Sequence, residues 1–431
     1  MAGQSLYEQE LLAKASKYLP GGNGGNTNFP DDLKFLAREG LGSHIWDVSG
    51  NEYIDWLMGS GPMILGHAHQ AVTQAVLEAV SQGSTFFATN ERSVLLAEEL
   101  CAAVPCAEQV RFTTSGTDAC FQCMRAARTF TKKEKILKFE GGFHGTSDYA
   151  MMSVTPSTAE EYPQAVSSTL GIPEAIQDLM LIAPFNDLDT TEAIINAHHD
   201  EIAAVIIEPI QRIIAPQPGF LNALRDLTNT HGILLIFDEM VTGFRLAYGG
   251  AQEFYGVTPD LCSVGKIMGG GYPLAASMGR ADIMSVFNQS TTSHGGYVNQ
   301  IGTLNGDPIG CAAGLATLHE LKKAGTYEKL HATGNRLRHG LIEQCNANDI
   351  AIQSCGEDAI FDIVFTGQEI KNYRDGLSGN STLMDRFNAG MLKNGVLKGW
   401  PQKFYPSLAH SEEDVTKTLE AFEAVIPTLK Q

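Results

Sequence analysis

Two patterns of apolar and polar residues alternate along the middle of this chain. Short continuous apolar runs, which are typical of strands buried on both faces of a parallel sheet, recur between residues 110 and 264. Segments with helical spacing of apolar residues lie between several of them, which indicates crossover helices. The predicted strands are residues 110–113, 136–139, 179–183, 203–207, 233–237 and 261–264, with residues 274–278 as an extra edge strand.

The two ends of the chain follow a different pattern. Residues 6–19 predict a helix that stops at a glycine-rich loop, and residues 43–56 contain two alternating segments around a turn, which predicts a β-hairpin. Beyond the last predicted strand of the middle region, two long helices are followed by a strand at residues 360–365, another helix and an amphipathic closing helix at residues 411–429. This change of pattern predicts a second, smaller domain beside the main sheet.

The composition narrows the classes of protein. Of the 431 residues, 43% are hydrophobic and 18% are charged, which describes a globular protein with ample material for a core. The formal net charge of −19 argues against a nucleic-acid-binding surface, although it does not exclude a local pocket for a small anion. No apolar run is long enough to span a membrane, and the eight scattered cysteines form no disulfide framework, so we expect a cytoplasmic protein.

One ionisable residue follows each of two predicted strands. The run at 233–237 leads into Asp238, and the run at 261–264 leads through Gly265 into Lys266. Ligands of open α/β sheets bind beyond the carboxyl ends of the strands, so we expect this acid and this amine to face the same crevice. Pyridoxal phosphate requires such a pair: a lysine that forms the Schiff base and a carboxylate that keeps the pyridine nitrogen protonated.

Two neighbouring turns could complete such a site. Ser115, Gly116 and Thr117 lie between a strand and a helix, where small hydroxyl residues either cap the helix or leave N–H groups for a phosphate. Phe143 and His144 lie between glycines after the next strand. An aromatic residue there can stack on a heteroaromatic ring, or it can be an ordinary loop residue beside an exposed histidine.

Three further residues are candidates on weaker grounds. Glu208 ends the strand at 203–207, and it is either a carboxylate at the rim of the crevice or a turn residue before proline. Arg212 and Arg245 are suited to a substrate carboxylate or phosphonate, because the guanidinium group binds such anions through two hydrogen bonds; the alternative is a solvated surface position. Cys120 and Cys123 form a C-x-x-C, but they lie inside a predicted helix without a second pair, so we expect small buried apolar residues rather than a metal or redox site.

Several motifs together resemble the class III aminotransferases, which are pyridoxal-phosphate enzymes of fold type I. Within the class, the chain is most similar to glutamate-1-semialdehyde 2,1-aminomutase and its relatives. The resemblance implies a large cofactor-binding domain at residues 61–325, with a mostly parallel sheet between helices, and a small α+β domain formed by residues 1–60 and 326–431. The match spans nearly the whole chain, and its motifs are SGTDA from Ser115, EGGFHG from Glu140, IIEP from Ile206, IFDEMVTGFR from Ile236, GKIMGGGYP from Gly265 and GTLNGDP from Gly302.

The resemblance also implies roles for individual residues. Lys266 would form the Schiff base and move the proton, and Asp238 would bind the pyridine nitrogen. Because one of the cofactor contacts would come from the neighbouring subunit, the resemblance implies a homodimer with shared active sites. The other implied contacts are the phosphate at Ser115, Gly116 and Thr117, the ring faces at Phe143 and Met240, positions beside the cofactor at His144 and Glu208, and the neighbouring subunit's phosphate at Thr303.

The substrate-binding residues depart from the pattern of the family. The chain lacks the arginine that the aminomutase has after its N-terminal Pro-Gly-Gly, and residues 399–406 contain neither the aminomutase's glutamate nor the arginine of many transaminases. Lys403 could take the place of that arginine. The resemblance therefore implies a shared cofactor and a different substrate.

Two kinds of reaction are compatible with these residues. The first is amino transfer, by an aminotransferase or an aminomutase-like enzyme, with a small primary amine that has an anionic group. The second is elimination by an ammonia-lyase or phospholyase from an amino-alcohol phosphonate or phosphate, such as 1-hydroxy-2-aminoethylphosphonate. A non-enzymatic regulator would lack the lysine or contain a DNA-binding domain, and the sequence shows neither feature.

Overall fold

The structure is a computed structural model that describes residues 3–26, 29–156, 158–290, 295–399 and 403–430. The chain forms two compact units. Unit 1 consists of Met1–Gln70, Lys323–Glu369 and Ser378–Gln431, and unit 2 consists of Ala71–Lys322 and Ile370–Leu377. The short segment Ile370–Leu377 thus belongs with unit 2, although its neighbours in sequence belong to unit 1.

The strands and helices of the described residues follow in chain order. The strands are β1 Ala37–Leu41, β2 His44–Asp47, β3 Glu52–Asp55, β4 Gln109–Thr113, β5 Lys135–Phe139, β6 Met180–Ala183, β7 Ile202–Ile207, β8 Leu234–Asp238, β9 Leu261–Val264, β10 Ala275–Gly279, β11 Gln353–Glu357, β12 Ile360–Val364 and β13 Val396–Leu397. The α-helices are α1 Leu6–Tyr18, α2 Gln70–Ser81, α3 Glu91–Ala103, α4 Gly116–Thr131, α5 Leu188–His198, α6 Phe220–His231, α7 Gly250–Tyr255, α8 Ala281–Met284, α9 Pro308–Leu321, α10 Thr326–Ala347, α11 Tyr373–Gly376, α12 Ser381–Lys393 and α13 Glu412–Leu429.

A seven-stranded sheet forms the centre of unit 2. Its order is β4-β10-β9-β8-β7-β5-β6, and all pairs are parallel except the two that β10 makes with β4 and β9. This confirms the predicted α/β fold with a mostly parallel sheet. Every residue of β7 and β8 is buried, because helices cover both faces and leave no polar alternation in the sequence.

The strand predicted at residues 274–278 is present, but its predicted place at the sheet edge is wrong. Strand β10 lies inside the sheet, between β4 and β9, and all five of its residues are buried. Its two antiparallel pairings reverse the direction twice, so β4 runs parallel to β9. The carboxyl ends of β4, β9, β8, β7 and β5 therefore open to one edge of the sheet, which is where the candidate site lies.

Unit 1 contains a four-stranded sheet in the order β1-β2-β3-β13 and an antiparallel pair formed by β11 and β12. Strands β2 and β3 pair antiparallel, which confirms the hairpin predicted within residues 43–56. The core of this unit is rich in aromatic side chains, among them Trp56, Phe387, Phe404 and Phe422, all fully buried. The proposed substitute Lys403 follows residues 400–402, which lie outside the described residues.

Two observations bear on the predicted environment of the protein. Cys120 and Cys123 are buried in helix α4, as expected for small apolar residues, and all eight cysteines are free. Among the described parts of the chain, no helix combines the length and the apolar character that crossing a membrane would require.

Candidate active site

Asp238 lies at the centre of the candidate site, as the last residue of β8. Its carboxylate is buried and accepts hydrogen bonds from His144 Nδ1 (2.8 Å) and the Cys120 thiol (3.3 Å) on one oxygen. The other oxygen accepts from Ser263 Oγ (3.2 Å) and the backbone N–H of Met240 (3.1 Å). Burial by itself would raise the pKa of this carboxyl, but the hydrogen bond and charge of His144, with the other donors, hold the pKa below its usual value. The site therefore contains a buried anion suited to a cationic partner.

Lys266 lies at the same edge of the sheet as Asp238. Strands β8 and β9 are adjacent and parallel, with Asp238 paired to Ser263, and Lys266 follows the end of β9 by two residues. Its backbone has a φ of +51°, in the left-handed region that non-glycine residues rarely adopt. A Cβ atom on the preceding Gly265 would lie 2.8 Å from the sulfur of Met240, so a larger residue there would displace the Met240 side chain. The structure thus places both residues of the predicted pair at the same edge of the sheet.

The N-terminus of helix α4 opens at this edge as well. Ser115 is its N-cap and accepts a hydrogen bond from the N–H of Asp118 (3.2 Å), so Gly116 and Thr117 form the first turn of a 16-residue helix. The first N–H groups of a helix point outwards and, with the helix dipole, favour an anion. A Cβ atom on Gly116 would lie 2.7 Å from the Met240 sulfur. This turn therefore lies beside Met240, which follows the end of β8 by two residues.

The loop after β5 contains Phe143 and His144. The Phe143 ring is 37% exposed, and its backbone N–H donates to Glu208 Oε2 (2.8 Å), so the glutamate fixes the loop rather than serving as a simple turn residue. The expected alternative of an exposed histidine is wrong, because His144 is buried against Asp238. This one loop thus contains a partly exposed aromatic residue and a buried histidine bonded to the Asp238 carboxylate.

The two candidate arginines have different environments. Arg212 is partly exposed, with its guanidinium carbon 5.0 Å from the centre of the Phe143 ring and its Nε donating to the carbonyl of Gly141 (3.1 Å). Its backbone also has a positive φ, of +61°. Arg245, in contrast, has no exposed surface. Its burial favours a role inside the fold, whereas the partly exposed Arg212 is open to an anion that enters from solvent.

Thr303 lies in the turn that precedes α9, and none of the contacts given above involves it. It is exposed and lines a cavity of about 490 Å³. Several large apolar side chains near it are exposed, namely Phe86, Phe87, Ile301 and Leu304.

Sequence reasoning missed one group beneath the site, the side chain of Lys138 in β5. This lysine is fully buried, and its ammonium donates to three backbone carbonyls, those of Gly142 (2.9 Å), Ala150 (2.9 Å) and Met152 (2.6 Å). It therefore ties the loop of Phe143 to the segment that follows it. The signal in the sequence is a single lysine inside the apolar run at residues 136–139.

The protonation of Lys138 gives a prediction for stability. Burial lowers its pKa to about 7; Glu208 opposes this shift and Arg212 adds to it. In the unfolded chain the pKa of this lysine is near 10.4, so between about pH 7 and pH 10.4 the unfolded chain binds a proton that the folded protein does not. The lysine therefore contributes its full stability above about pH 10.4, and this contribution is lost as the pH falls toward 7. The free energy of unfolding of the wild type, relative to that of Lys138→Met, should therefore rise between pH 7 and pH 9.5, by up to about 1.4 kcal/mol per pH unit.

Urea unfolding at several pH values measures this difference. Lys135→Met is the matched control, since Lys135 lies on the same strand, is partly exposed and pairs with Glu201 (2.9 Å). A difference between wild type and Lys138→Met that stays constant with pH would contradict the prediction.

Comparison with known proteins identifies the class. The family model of the class III aminotransferases matches residues 28–426, so the chain belongs to this family. Among solved structures, it is similar to an omega-transaminase from Sphaerobacter thermophilus, with 33% identity over 98% of both chains and a TM-score of 0.93. It is also similar to a β-phenylalanine aminotransferase from Variovorax paradoxus, with 29% identity over 98% of this chain and 94% of that one and a TM-score of 0.86.

A glutamate-1-semialdehyde aminomutase from Pseudomonas aeruginosa PAO1 has the same fold. The identity is 23% over 98% of this chain and 94% of that one, with a TM-score of 0.88, and at this identity the likeness shows the fold alone. Family membership makes this protein a pyridoxal-phosphate enzyme of fold type I.

The residues of the site fit this cofactor. A buried carboxylate held by hydrogen-bond donors suits a protonated ring nitrogen, and the N-terminus of α4 suits a phosphate. A partly exposed aromatic ring and a lysine lie at the same sheet edge.

Proposed function

We propose that this enzyme is an aminotransferase for a small primary amine that has an anionic group, and that Arg212 binds this group. The observation that supports the proposal is the place of Arg212 beside Phe143, with its side chain partly open to solvent. Family membership supports amino transfer, and the position of one arginine at the rim supports an anionic substrate.

Each residue of the site has a proposed task. Bound pyridoxal phosphate supplies an electron sink for the carbon that has the amino group. Lys266 binds the cofactor covalently and moves a proton at that carbon, while Asp238 holds the proton on the ring nitrogen. The first turn of α4, at Ser115, Gly116 and Thr117, binds the phosphate. The side chains of Phe143 and Met240 would enclose the cofactor ring. His144 would hold Asp238 and Glu208 would hold the backbone of Phe143.

Arg212 is held in a way that favours anion recognition. Its Nε donates to a backbone carbonyl and its guanidinium carbon lies 5.0 Å from the centre of an aromatic ring, so two contacts fix the guanidinium group before any substrate arrives. A preordered guanidinium group loses less side-chain entropy when it binds a carboxylate. The terminal nitrogens supply the two parallel N–H donors that such an anion requires.

The more similar relatives favour transamination over an internal amino shift. The relatives above 25% identity include an omega-transaminase and a β-phenylalanine aminotransferase. β-Phenylalanine is a small primary amine with a carboxylate, as the proposal for this enzyme requires. We infer an acceptor keto acid as the second substrate.

We further propose a cytoplasmic homodimer in which Thr303 completes the phosphate site of the second subunit. The exposed apolar side chains of Phe86, Phe87 and Ile301 around the cavity near Thr303 support this proposal, because a contiguous apolar surface favours burial against another chain. The eight free cysteines fit a reducing compartment.

An assay with and without a keto acid tests the proposed reaction. Purified enzyme is incubated with ω-amino acids and β-amino acids, either alone or with pyruvate or 2-oxoglutarate. We expect amine consumption beyond one equivalent only when a keto acid is present, with the matching amino acid as product. Continued release of ammonia and an aldehyde without any keto acid would contradict transamination and establish the elimination reaction instead.

Replacing Arg212 tests the proposed anion site. Arg212→Gln should raise KM for an anionic amine about 10- to 100-fold, since a charge-assisted hydrogen bond contributes about 1.5–3 kcal/mol. KM for a neutral amine of the same carbon skeleton should change little, and Arg212→Lys should lie between the two. An equal rise of KM for both amines would place Arg212 outside the anion site.

A further inference from the structure

The segment Ile370–Leu377 of unit 2 packs on the loop that contains Phe143. It enters from a distant part of the sequence, between β12 and α12, and is bonded to unit 2 at Lys371, whose carbonyl accepts from Asn186 Nδ2 (2.9 Å). The contacts that follow are made by Tyr373 and Arg374, and we call these two residues the clamp.

Arg374 forms a two-point ion pair with Glu140, the first residue after β5. Its Nε lies 2.7 Å from Oε2 and its Nη2 lies 3.0 Å from Oε1, which is the parallel geometry that guanidinium and carboxylate groups favour. Nη2 also donates to the carbonyl of Glu160 (2.7 Å). The Glu140 side chain is buried and that of Arg374 is one-third exposed, so water screens this pair only partly.

Tyr162 completes the ion pair. Its hydroxyl donates to Glu140 Oε2 (2.7 Å), and the guanidinium carbon of Arg374 lies 4.4 Å from the centre of its ring. The ion pair and its hydrogen bonds raise the pKa of Arg374 above its usual value. Without Arg374, the buried Glu140 carboxylate would keep only one of these two side-chain donors, the hydroxyl of Tyr162.

The second clamp residue lies directly on the loop. Gly141 has a φ of +85°, and a Cβ atom there would lie 2.5 Å from Cδ2 of Tyr373, so the ring packs against the bare backbone. The carbonyl of Glu140 accepts from Gln211 Nε2 (2.6 Å). The backbone at Glu140 and Gly141 is thus held both by Tyr373 of the clamp and by Gln211, which follows β7.

We propose that Arg374 is a positioning residue for the cofactor site, which acts by holding Glu140 and Gly141 so that Phe143 lies in place for the cofactor ring. This inference rests on the proposed contact between Phe143 and the ring. In this proposal the effect of Arg374 passes through the backbone of the three residues that precede Phe143.

A double-mutant cycle on cofactor affinity tests the proposal. Arg374→Met and Glu140→Gln should each raise the Kd for pyridoxal phosphate, titrated into apoenzyme, about tenfold. The double variant should show about the same tenfold change instead of the product of the two. Arg374→Lys should recover part of the affinity, because lysine restores the charge without the two-point geometry.

Arg280→Met is the matched control, since Arg280 is a partly exposed arginine of unit 2 with two carboxylate partners, Asp260 and Asp282. Its Kd for pyridoxal phosphate should equal that of the wild type. The proposal would be overturned if the changes in Kd of the two single variants multiply in the double variant. It would also be overturned if the Kd of Arg374→Met lies within twofold of the wild-type value.

Amide hydrogen exchange of the apoenzyme separates the clamp from the cofactor contact. In Arg374→Met, exchange should become faster at residues 141–144 while the rest of unit 2 is unchanged. Faster exchange throughout the unit would show a general structural role and overturn the proposal. If Phe143→Ala leaves the Kd for pyridoxal phosphate unchanged, the proposed ring contact fails, whereas the exchange result on the clamp stands by itself.

Discussion

Lys266→Ala should lower the rate of amino transfer by about 10²- to 10⁴-fold or more, because the variant loses the amine that attaches the cofactor and moves the proton. Lys266 follows the end of β9 by two residues, and it lies at the sheet edge where Asp238 is the last residue of β8. The visible absorbance that results from covalent attachment of pyridoxal phosphate should also disappear. Steady-state kinetics and an absorbance spectrum of the purified variant measure both effects.

A lysine outside the site provides the control for this variant. Lys135→Ala removes a partly exposed lysine of β5 that pairs with Glu201, and it should retain both the spectrum and the rate. A spectrum of Lys266→Ala identical to that of the wild type would show that another lysine holds the cofactor.

Asp238→Asn should raise the Kd for pyridoxal phosphate and lower kcat. At limiting cofactor, the two effects together should lower the catalytic efficiency by about 10²-fold. The amide keeps the shape of the carboxylate but loses the charge that stabilises a protonated ring nitrogen. It also places an N–H₂ group against groups that donate to this residue, among them His144 Nδ1 and Ser263 Oγ. Cofactor titration and the pH dependence of the bound cofactor's spectrum measure the change.

Cys120→Ala is the companion to this variant. It removes the thiol that donates to the same carboxylate at 3.3 Å but leaves the charge in place, so its effect should be several times smaller. Equal effects of the two variants would contradict a specific role for the charge of Asp238.

The sheet and its reactive edge could be predicted because they depend on local pattern. Strands buried on both faces leave continuous apolar runs, and the polar residue that ends each run marks the edge, as Asp238 does at the last position of β8 and Glu208 directly after β7. The place of β10 could not be predicted in this way. An internal antiparallel strand and an edge strand can have the same short run of small apolar residues, and only the pairing with β4 and β9 distinguishes them.

The supporting contacts of the site were beyond local pattern for a different reason. The pair of Glu140 and Arg374 joins residues 234 positions apart, and nothing near either residue in the sequence indicates its partner. Burial was equally hidden: Arg245 and Lys138 are both basic residues, yet both have no exposed surface, because long-range packing rather than residue type decides exposure.

The central claim is that pyridoxal phosphate is held by Lys266 beside Asp238. Borohydride reduction of the purified holoenzyme fixes the cofactor on its lysine, and mass spectrometry of the digested protein then locates the pyridoxyl phosphate group. We expect it on the peptide that contains Lys266 and on no other. The group on a different lysine, such as the buried Lys138 whose pKa burial lowers to about 7, would contradict this account of the site.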